Sequence, residues 1–496
     1  MFSTKILNNS ITVPSQAQLA QLQQQLGQLL ARGGELVIDS RKVTPGAIFC
    51  AYPGTGVDGR DFIAAALRQG AVAILWEPGI EFTYAVENYP IAGLMHYVGI
   101  LAALQAGYPS NNFYSFAITG TNGKTSISHW LNQAYSFLGM KTAIIGTTGA
   151  GVYPDISDYA ATTPDPITLQ HLLLEFKQQQ VKILAMEVSS HALSQGRVNG
   201  VSFNSAIFTN LTLDHLDYHQ TMANYFAAKE HLFYWHGLEQ AIINSDDSYG
   251  YQLIQHLEAR TIAVLSYGIN SGELRASELT LTKHGISFVL SYHGQRQWLQ
   301  AQLIGRFNVY NLLALIGGLI SHGVPWAQLA AIVAALKPVT GRMDAILRPN
   351  QPLVVVDYAH TPDALEQALS TLGELKAAGR LICVFGCGGN RDRSKRPLMG
   401  QIAAKLSDVV IVTSDNPRDE DPEAIIDQIT QDLSPGVFLR ISERKAAISA
   451  AIALALPADI VLIAGKGHEN YQEIKGVKHP FSDLELVAFS LSLRAQ

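Results

Sequence analysis

Cysteine is the scarcest residue type of this chain, with only Cys50, Cys383 and Cys387 among 496 residues. Three cysteines cannot build a disulfide framework, and such low usage is typical of a reducing compartment. Cys383 and Cys387 lie close together in the sequence, near a predicted strand, without the partner spacing of a zinc site. We therefore expect all three to be small buried residues.

Long apolar runs and a surplus of positive charge are also missing. No apolar run reaches the roughly 18 to 20 residues that a membrane helix needs, and the N-terminus lacks the continuous apolar segment of a signal peptide. The formal net charge of −6 gives no general attraction for nucleic acid. These absences predict a cytoplasmic protein without nucleic-acid or membrane partners. We separately expect a monomer whose partners are small-molecule substrates.

The residues that are abundant predict an α/β protein with well-filled cores. Hydrophobic residues make up 48% of the chain and charged residues 15%, and a length prior of about 150 residues per domain gives about three domains. We place them at 1–108, 109–337 and 338–496. In the second and third, runs rich in Ile and Val without alternation separate helical patterns, as expected of parallel strands covered on both faces. A hairpin is predicted near 279–292.

Residues 119–126, TGTNGKTS, are the most informative stretch. They lie between an apolar strand pattern and an amphipathic helix pattern, so the turn points several backbone N–H groups at one spot, where a triphosphate fits. Lys124 would reach the outer phosphates, and Thr125 or Ser126 could hold Mg²⁺. A strict Walker motif needs glycine at position 118, where this chain has Ile118. A variant phosphate loop and a chance glycine-rich turn are both open at this point.

Three later residues have both a functional and an ordinary interpretation. Glu187 ends a predicted strand, and in a parallel sheet it would emerge near the phosphate loop, where a carboxylate suits Mg²⁺. A buried glutamate that is paired locally is an equally good interpretation. His215 fits an ordinary loop histidine, and Lys229, beside Glu230 in a helical pattern, fits a solvated helix face. Residue chemistry alone does not assign these two.

The last 160 residues or so place polar loops after four predicted strands. Asp357 ends one strand and could take a ribose hydroxyl, while Thr361 or Asp363 caps the following helix. The glycine-rich loop 386–400 carries four cations, which indicate an anionic ligand: Arg391, Arg393, Lys395 and Arg396. With Arg418 and Glu469 on neighbouring loops, this region would form a cradle for a zwitterionic amino acid.

Taken in order, these strings resemble the Mur ligase family over nearly the whole chain. DSRKVTPGAIFCAYPGTGVDGRDFI resembles its N-terminal uridine-nucleotide domain. TGTNGKTS, TTPDP, MEVSSHAL, TNLTLDHLDYHQT and GRFNVYN resemble its central ATPase domain, and DYAHTPDAL, GCGGNRDRSKRPLM, DNPR and GKGHE its C-terminal domain. The joint pattern is highly specific, although TGTNGKTS alone is shared with folylpolyglutamate synthetases.

The resemblance implies a fold and a reaction. The fold class is α/β with the three-domain Mur ligase architecture: an N-terminal α/β uridine-nucleotide domain, a central P-loop ATPase-like domain with a mostly parallel sheet, and a C-terminal Rossmann-like domain. The substrate would be UDP-N-acetylmuramoyl-L-alanyl-D-glutamate, whose γ-carboxylate takes the γ-phosphate of ATP to form an acyl phosphate. An amine then attacks it and phosphate leaves. ATP is the co-substrate, with two Mg²⁺ ions as cofactors.

The resemblance also implies roles for individual residues. The ATP site would comprise Gly120, Thr121, Asn122, Gly123, Lys124, Thr125, Ser126, Asn308, Arg342 and Asp357. The UDP-muramoyl dipeptide would contact Ile38, Ser40, Thr162, Thr163, Ser189, Gln195 and Arg197. The metal ligands would be Thr125, Glu187 and His215, and Lys229 falls where the family carries a carbamylated lysine.

The third amino acid of the peptide stem is assigned by the string DNPR. Family members that use meso-diaminopimelate carry it, and lysine-adding members usually lack its arginine. Diaminopimelate has a second carboxylate that lysine lacks, and Arg418 can pair with it. The site implied by the resemblance comprises Arg391, Asp415, Asn416, Pro417, Arg418, Gly465 and Glu469.

Several alternatives stay open on the sequence. A lysine-adding muramyl ligase and a folylpolyglutamate synthetase-like ligase are the enzymatic rivals nearest in chemistry. A P-loop kinase would give a phosphorylated product instead of an amide. A nucleotide-responsive binding protein on a degenerate ligase fold is the non-enzymatic alternative, and the intact set of candidate catalytic residues argues against it.

Overall fold

The computed structural model describes residues 16–157, 159, 161–376 and 378–494. Two units of the chain have dense internal contacts: residues 1–243 with 247–265, and residues 244–246 with 266–496. Within the described residues, no helix is both long and apolar enough to cross a membrane. The expectation about a signal peptide concerns the first fifteen residues, which lie outside the described ranges.

The first unit begins with a small parallel sheet that is covered by helices. Its elements are α1 (Gln16–Ala31), β1 (Leu36–Val37), β2 (Ile48–Ala51), α2 (Ile63–Arg68), β3 (Ala73–Trp76), β4 (Glu87–Pro90) and α3 (Leu94–Gln105). The four strands pair in sequence order and all in parallel. Leu36, Ile48 and residues of α1 and α3 share a core with Ile167, which comes from the following part of the same unit.

The rest of the first unit is a second α/β layer. Its elements are β5 (Tyr114–Thr119), α4 (Lys124–Phe137), β6 (Thr142–Gly146), β7 (Gly149–Val152), α5 (Pro166–Gln178), β8 (Ile183–Glu187), α6 (Ser190–Ser194), β9 (Ser205–Phe208), α7 (Leu216–His219), α8 (Met222–Glu230), β10 (Gln240–Asn244) and α9 (Ser248–Leu257). The strand order is β10-β9-β5-β8-β6-β7, with only the β6–β7 pair antiparallel. β5 and β8 are therefore neighbours, and their carboxyl ends lie at the same edge.

The second unit contains a meander and a doubly wound sheet. Its elements are β11 (Ala263–Gly268, shared with the first unit), β12 (Leu274–Thr282), β13 (Gly285–Tyr292), β14 (Gln295–Ala301), α10 (Arg306–Ser321), α11 (Leu329–Ala335), β15 (Asp344–Ile346), β16 (Leu353–Asp357), α12 (Pro362–Leu375), β17 (Leu381–Phe385), α13 (Lys395–Leu406), β18 (Val409–Val412), α14 (Pro422–Thr430), β19 (Phe438–Arg440), α15 (Arg444–Leu454), β20 (Ile460–Ala464), β21 (Tyr471–Ile474), β22 (Val477–Pro480) and α16 (Asp483–Arg494).

The doubly wound sheet has the order β15-β16-β20-β17-β18-β19, parallel except for β15. Its central strands are buried along their whole length, because helices cover both faces. The loops that carry the predicted amino-acid site all leave the carboxyl ends of these strands, as expected for ligand sites in open α/β sheets. Separately, β21 and β22 form an antiparallel hairpin.

Most sequence-predicted elements are confirmed to within a few residues, and all three cysteines are buried. The hairpin predicted near 279–292 is β12–β13, but a third strand, β14, pairs with β13 and was not predicted. β14 reads QRQWLQA, and its mostly polar sequence hides the alternation of a strand with one solvated face.

Candidate active site

The stretch TGTNGKTS connects β5 to α4 as a strand–turn–helix. Gly120 and Gly123 have φ angles of +144° and +89°, a region that side chains rarely occupy. A Cβ at Gly120 would in addition overlap the Thr209 hydroxyl. α4 begins at Lys124 directly after this turn, so its N-terminal N–H groups and the positive end of its dipole lie at the loop, which is the geometry of an anion site.

The loop is fastened to the segment after β9. Thr121 N–H donates to the Asn210 carbonyl (2.9 Å), Asn122 N–H to Asn210 Oδ1 (2.9 Å), and the Thr209 hydroxyl to the Asn122 carbonyl (2.6 Å). Ile118, where a Walker motif has glycine, is a fully buried residue inside β5. The loop therefore starts two residues later than in the strict motif, and the departure does not disturb its geometry.

Glu187 comes to the phosphate loop at the end of β8, as the parallel sheet predicted. Its buried carboxylate accepts hydrogen bonds from the Thr125 hydroxyl (3.1 Å), Thr147 N–H (2.9 Å) and the Thr147 hydroxyl (3.0 Å). A Cβ at Gly146 would overlap this carboxylate. Sequence reasoning missed Thr147 and Gly146. Gly146 ends β6, the strand beside β8 in the sheet, and Thr147 directly follows it, at an edge where ligand residues are expected.

The donor set around Glu187 fits Mg²⁺. Nowhere in the described residues do three or more His, Cys, Asp or Glu side chains converge as a metal site, so a soft or fully protein-caged metal is not indicated. Mg²⁺ instead takes one or two carboxylates and completes its shell with water and phosphate oxygens. The hard oxygens of Glu187 and Thr125 at the start of a phosphate-binding helix match that requirement.

Lys229 is not on a solvated helix face, so the ordinary interpretation of this residue is wrong. It is buried, and its Nζ donates to the Gly120 carbonyl (2.8 Å). Lys124 Nζ donates to the same carbonyl (2.9 Å). Burial lowers the pKa of Lys229 well below its usual range, and the nearby Lys124 cation lowers it further. The carbamylation of Lys229 that the family resemblance implies stays a prediction at this point.

His215 lies at the start of α7 in a left-handed backbone conformation, with φ of +55°. Its ring is 4.9 Å from that of His191, and its Nε2 is 3.4 Å from a carboxylate oxygen of Asp214. Desolvation lowers the pKa of His215, while the Asp214 carboxylate acts against this and the Lys124 cation adds to it. No hydrogen bond joins His215 to Glu187 in the part of the chain that the structure describes.

Four of the residues assigned to the muramoyl dipeptide form one hydrogen-bonded group beside Glu187. The Thr163 hydroxyl donates to the Glu187 carbonyl (2.9 Å) and accepts from Ser189 N–H (3.2 Å). Arg197 donates through Nε to Gln195 Oε1 (2.8 Å) and through Nη1 to the Thr163 carbonyl (3.1 Å). The guanidinium is thereby fixed beside Thr163, whose hydroxyl binds the carbonyl of Glu187.

The remaining residues assigned to that substrate lie around this group or in the N-terminal sheet. The Thr162 hydroxyl is 3.2 Å from that of Thr147. Ser40 is buried in a 3-10 turn that follows β1, and Ile38 packs partly buried on the adjacent core. No hydrogen bond of the described chain joins Ser40 or Ile38 to the Arg197 group.

In the second unit, Arg342 and Asp357 lie together. The Arg342 guanidinium lies over the Tyr358 ring, 4.4 Å from its centroid. Asp357 accepts from Met343 N–H (2.7 Å) and Ala359 N–H (2.8 Å). Burial raises the pKa of Asp357, and Arg342 and the backbone donors act against this. The helix α12 is capped by Thr361, so the cap does not use the Asp357 carboxylate, whose ribose role stays a prediction.

Asn308 is a buried residue of α10 whose hydrogen bonds are local. Its Nδ2 donates to the Ile304 carbonyl (2.8 Å), and its Oδ1 accepts from Asn311 (3.0 Å). These bonds hold the start of the helix. The ATP role of Asn308 that the family resemblance implies stays a prediction.

The segment DNPR follows β18 and meets the loop after β20. Asn416 Nδ2 donates to Glu469 Oε2 (2.8 Å), and the buried Lys466 donates to Asn416 Oδ1 (3.0 Å) and Glu469 Oε2 (2.9 Å). Asp415 is buried against Gly465, because the missing side chain of that glycine leaves the room. Glu469 Oε1 has no hydrogen-bond partner in the described chain, so a ligand ammonium can still reach the carboxylate.

The four cations of the glycine-rich loop do not act together, which corrects the sequence-based interpretation. Arg396 is fully buried and forms two hydrogen bonds with Glu420 (2.9 and 3.0 Å). Arg393 also pairs with Glu420 (3.2 Å), and Lys395 donates to the His360 carbonyl (2.8 Å). Arg391 is exposed and forms no ion pair with any described residue. Arg391 and Lys395, whose hydrogen bond goes to a neutral carbonyl, therefore keep their charge for a ligand.

Arg418 is the basic residue of the DNPR segment, and Pro417 before it is buried. Its Nε donates to Glu473 Oε2 (3.0 Å) and its Nη1 to the Gly389 carbonyl (2.9 Å). Nη2 has no hydrogen-bond partner in the described chain. Nη2 can therefore donate to a ligand carboxylate in the same region as Asn416.

The geometry defines a class of protein: a P-loop α/β nucleotide-binding protein. It has a second, doubly wound sheet whose loops carry both positively and negatively charged side chains. Comparison with known proteins identifies the family. Three family models match, described as the Mur ligase family catalytic domain (residues 35–100), the Mur ligase middle domain (118–318) and the Mur ligase glutamate ligase domain (341–467). The chain belongs to the Mur ligase family, and the α/β fold class expected from the motifs is confirmed.

Curated relatives extend over nearly the whole chain. The UDP-N-acetylmuramoyl-L-alanyl-D-glutamate–2,6-diaminopimelate ligase of Chromobacterium violaceum is 48% identical, covering 95% of this chain and 96% of its own. The protein of the same name from Neisseria meningitidis serogroup B is 49% identical over 94% and 96%. A solved structure of a ligase with this name superposes with a TM-score of 0.69 at 37% identity, covering 93% of this chain and 95% of its own.

Proposed function

We propose that this protein is an ATP-dependent ligase that joins meso-diaminopimelate to the γ-carboxylate of D-glutamate in UDP-N-acetylmuramoyl-L-alanyl-D-glutamate. ADP and phosphate are the other products. Long, highly similar relatives carry the name of this activity. The domain boundaries at 108/109 and 337/338, the cytoplasmic location and the monomeric state expected from the sequence stay predictions.

The observation that carries the proposal is the charge arrangement around Arg418. A free guanidinium edge on Arg418 and the exposed Arg391 offer two cations, and Glu469 keeps one carboxylate oxygen for an ammonium group. Diaminopimelate has two carboxylates and two amines, whereas lysine has a single carboxylate. Two guanidinium groups with unoccupied donors, beside a carboxylate with one unoccupied oxygen, therefore suit diaminopimelate better than lysine.

On the phosphate side, the start of α4 and Lys124 would hold the β- and γ-phosphates of ATP. The Arg197 group would orient the substrate so that its γ-carboxylate faces the γ-phosphorus, and the acyl phosphate forms as ADP departs. Phosphoryl transfer of this kind depends on positioning and charge neutralisation. Glu187 and Thr125 would hold Mg²⁺, which when bound neutralises phosphate charge. Arg342 and Asp357 would serve the phosphates and the ribose.

We further propose that Lys229 is carbamylated. The neutral Nζ amine attacks the carbon of CO₂, an N–C bond forms, and one proton is lost, which leaves an anionic carbamate. Its buried position and the lowered pKa of the amine support this step. With His215, the carbamate oxygens would supply ligands for a second Mg²⁺, which the lysine in its amine form does not.

The experiment that tests the function is an amino-acid-dependent phosphate-release assay with the muramoyl dipeptide, ATP and Mg²⁺. Meso-diaminopimelate and L-lysine are compared side by side, and mass spectrometry identifies the amide. We expect turnover with diaminopimelate and much less with lysine. Preferential turnover of lysine would favour a lysine-adding ligase, whereas phosphate release only with a folate and glutamate would favour the folate-type ligase.

Arg418→Ala tests the role of the guanidinium within that assay. Loss of the hydrogen bonding between the Arg418 guanidinium and the ligand carboxylate costs about 1.5 to 3 kcal/mol. The KM for diaminopimelate should therefore rise roughly ten-fold to a hundred-fold. The KM for ATP should stay unchanged. Arg296→Ala is the matched control, because Arg296 forms an exposed ion pair with Glu278 (2.7 Å) in the β12–β14 meander. Unchanged diaminopimelate kinetics in Arg418→Ala would contradict the assignment.

A further inference from the structure

The β21–β22 hairpin is hydrogen-bonded to the DNPR segment. Arg418 N–H donates to the Glu473 carbonyl (3.1 Å), and Lys475 N–H donates to the Arg418 carbonyl (2.8 Å). Arg418 has a φ angle of +51°, a left-handed conformation that is unfavourable for a residue with a long side chain. The two hairpin hydrogen bonds hold the backbone in this conformation and so fix the direction in which the side chain leaves it.

The side chain of Glu473 also fixes the guanidinium. Its Oε2 accepts from Arg418 Nε at 3.0 Å, and the two side chains are only 20% and 26% exposed, so this is not a loose surface pair. The Gly389 carbonyl holds Nη1 at 2.9 Å. Because the guanidinium is planar and rigid, two fixed donors determine where the remaining Nη2 donors point.

Glu473 contacts a second residue of the same site. Its backbone N–H donates to Asn416 Oδ1 (2.9 Å), so a single hairpin residue holds both Asn416 and Arg418. The neighbouring Gln472 donates through Nε2 to the Asp415 carbonyl (2.6 Å). The hairpin thus braces the whole segment 415–418 through one strand.

We propose that Glu473 is a positioning residue that sets the amino-acid specificity of the ligase by presenting the free edge of Arg418 to the distal carboxylate of the amino acid. The inference rests on the proposed function, in which Arg418 binds that carboxylate. In this role Glu473 acts through Arg418 and Asn416 and needs no contact with the amino acid itself. Without its side chain, the guanidinium keeps only the Gly389 contact and must be ordered by the ligand, which weakens binding.

The variants Glu473→Ala and Glu473→Gln test this role. In Glu473→Ala, the KM for meso-diaminopimelate should rise about ten-fold, while kcat and the KM values for ATP and the muramoyl dipeptide change less than about three-fold. The preference for diaminopimelate over L-lysine should fall by a similar factor. Glu473→Gln should be intermediate, because its amide oxygen can still accept from Nε but carries no charge. A general structural defect would not produce this selective change or this partial rescue.

Glu278→Ala is the matched control, since it breaks an Arg–Glu pair in the meander and should leave all kinetic values unchanged. If the wild type turns over diaminopimelate and both Glu473 variants keep its KM and specificity, the inference is wrong and the proposed function stands. If the wild type shows no such turnover, the proposed function fails and the inference falls with it. Should Glu473→Ala not fold, the Glu473→Gln kinetics decide the question alone.

Discussion

Thr147→Val should weaken both the stability of the protein and its use of Mg²⁺. The Thr147 hydroxyl is one of three donors to the buried Glu187 carboxylate, at 3.0 Å. Valine has nearly the same shape but no donor, so the change removes one hydrogen bond to a charged group, at a cost of about 1.5 to 3 kcal/mol. The backbone N–H of residue 147 and the Thr125 hydroxyl still bind the carboxylate. The folded state should therefore persist with a lower free energy of unfolding.

The functional consequence follows from the orientation of the carboxylate. Glu187 is the proposed Mg²⁺ ligand, and loss of a residue that orients a ligand typically costs ten-fold or more in metal affinity or activity. We expect the Mg²⁺ concentration for half-maximal phosphate release to rise about ten-fold. Urea denaturation without ligands measures the stability change separately.

Thr142→Val provides the matched control for this prediction. Thr142 is a buried threonine at the start of β6, the strand that Thr147 directly follows, and its hydroxyl is 3.4 Å from that of Ser136. This variant should keep the wild-type Mg²⁺ dependence. If Thr147→Val has the same Mg²⁺ dependence as Thr142→Val, Thr147 does not orient a metal ligand and the reasoning about Glu187 fails.

Three further predictions concern the phosphate-loop site and the glycine-rich loop 386–400. Gly146→Ala should raise the Mg²⁺ requirement in the phosphate-release assay, because its Cβ would displace the Glu187 carboxylate. In CO₂-free buffer, the free energy of unfolding of Lys229→Met should rise relative to that of the wild type as the pH falls. The pKa of Lys229 is lowered in the folded state, so below the ordinary lysine pKa the unfolded wild type binds a proton that the folded wild type does not. The wild type therefore loses stability as the pH falls, whereas the variant has no such proton to bind. A pH-independent difference would contradict this. The Arg396 hydrogen bonds lower the pKa of Glu420 to about 2 from 4.5. The free energy of unfolding of the wild type should therefore exceed that of Glu420→Gln by about 2 kcal/mol above pH 5, and this difference should shrink as the pH approaches 2. A constant difference down to pH 2 would refute the pairing of Glu420 with Arg396.

Sequence reasoning predicted the phosphate loop and Glu187 correctly because both depend on local pattern and sheet topology. A strand that ends in a glycine-bearing turn before a helix has few possible geometries, and parallel strands put their carboxyl ends at one edge. Thr147 was missed because its role depends on which strands are neighbours in the sheet. The string GTTG gives no chemical signal, and its role depends on β6 lying next to β8.

The burial of Lys229 could not be predicted from its neighbours in the sequence. The pattern around it places charged residues together, which is typical of a solvated face, and only the family resemblance indicated otherwise. In the structure, the partner of its Nζ is the carbonyl of Gly120, more than a hundred residues earlier. Contacts of that range follow from how helix α8 packs against the phosphate loop.

The cations of the glycine-rich loop show where composition misleads. Four positive residues in one loop indicate an anionic ligand, yet Glu420 neutralises two of them from the far side of the DNPR segment. Arg396 then fastens the two loops to each other instead of binding substrate, since it also donates to the Gly388 carbonyl (3.0 Å). The motif identifies the residues of a ligand site, but their pairing depends on acidic residues outside the motif.

The same distinction applies to amino-acid specificity. DNPR indicates an arginine that can bind a second carboxylate, but an arginine side chain has many rotamers and loses considerable entropy when a ligand orders it. In this protein a glutamate 55 positions later, on a hairpin that no motif marks, holds the guanidinium before any ligand arrives. Specificity should therefore depend on the pair of Arg418 and Glu473. A chain that kept DNPR but lost the acidic hairpin residue should bind diaminopimelate more weakly and discriminate less against lysine.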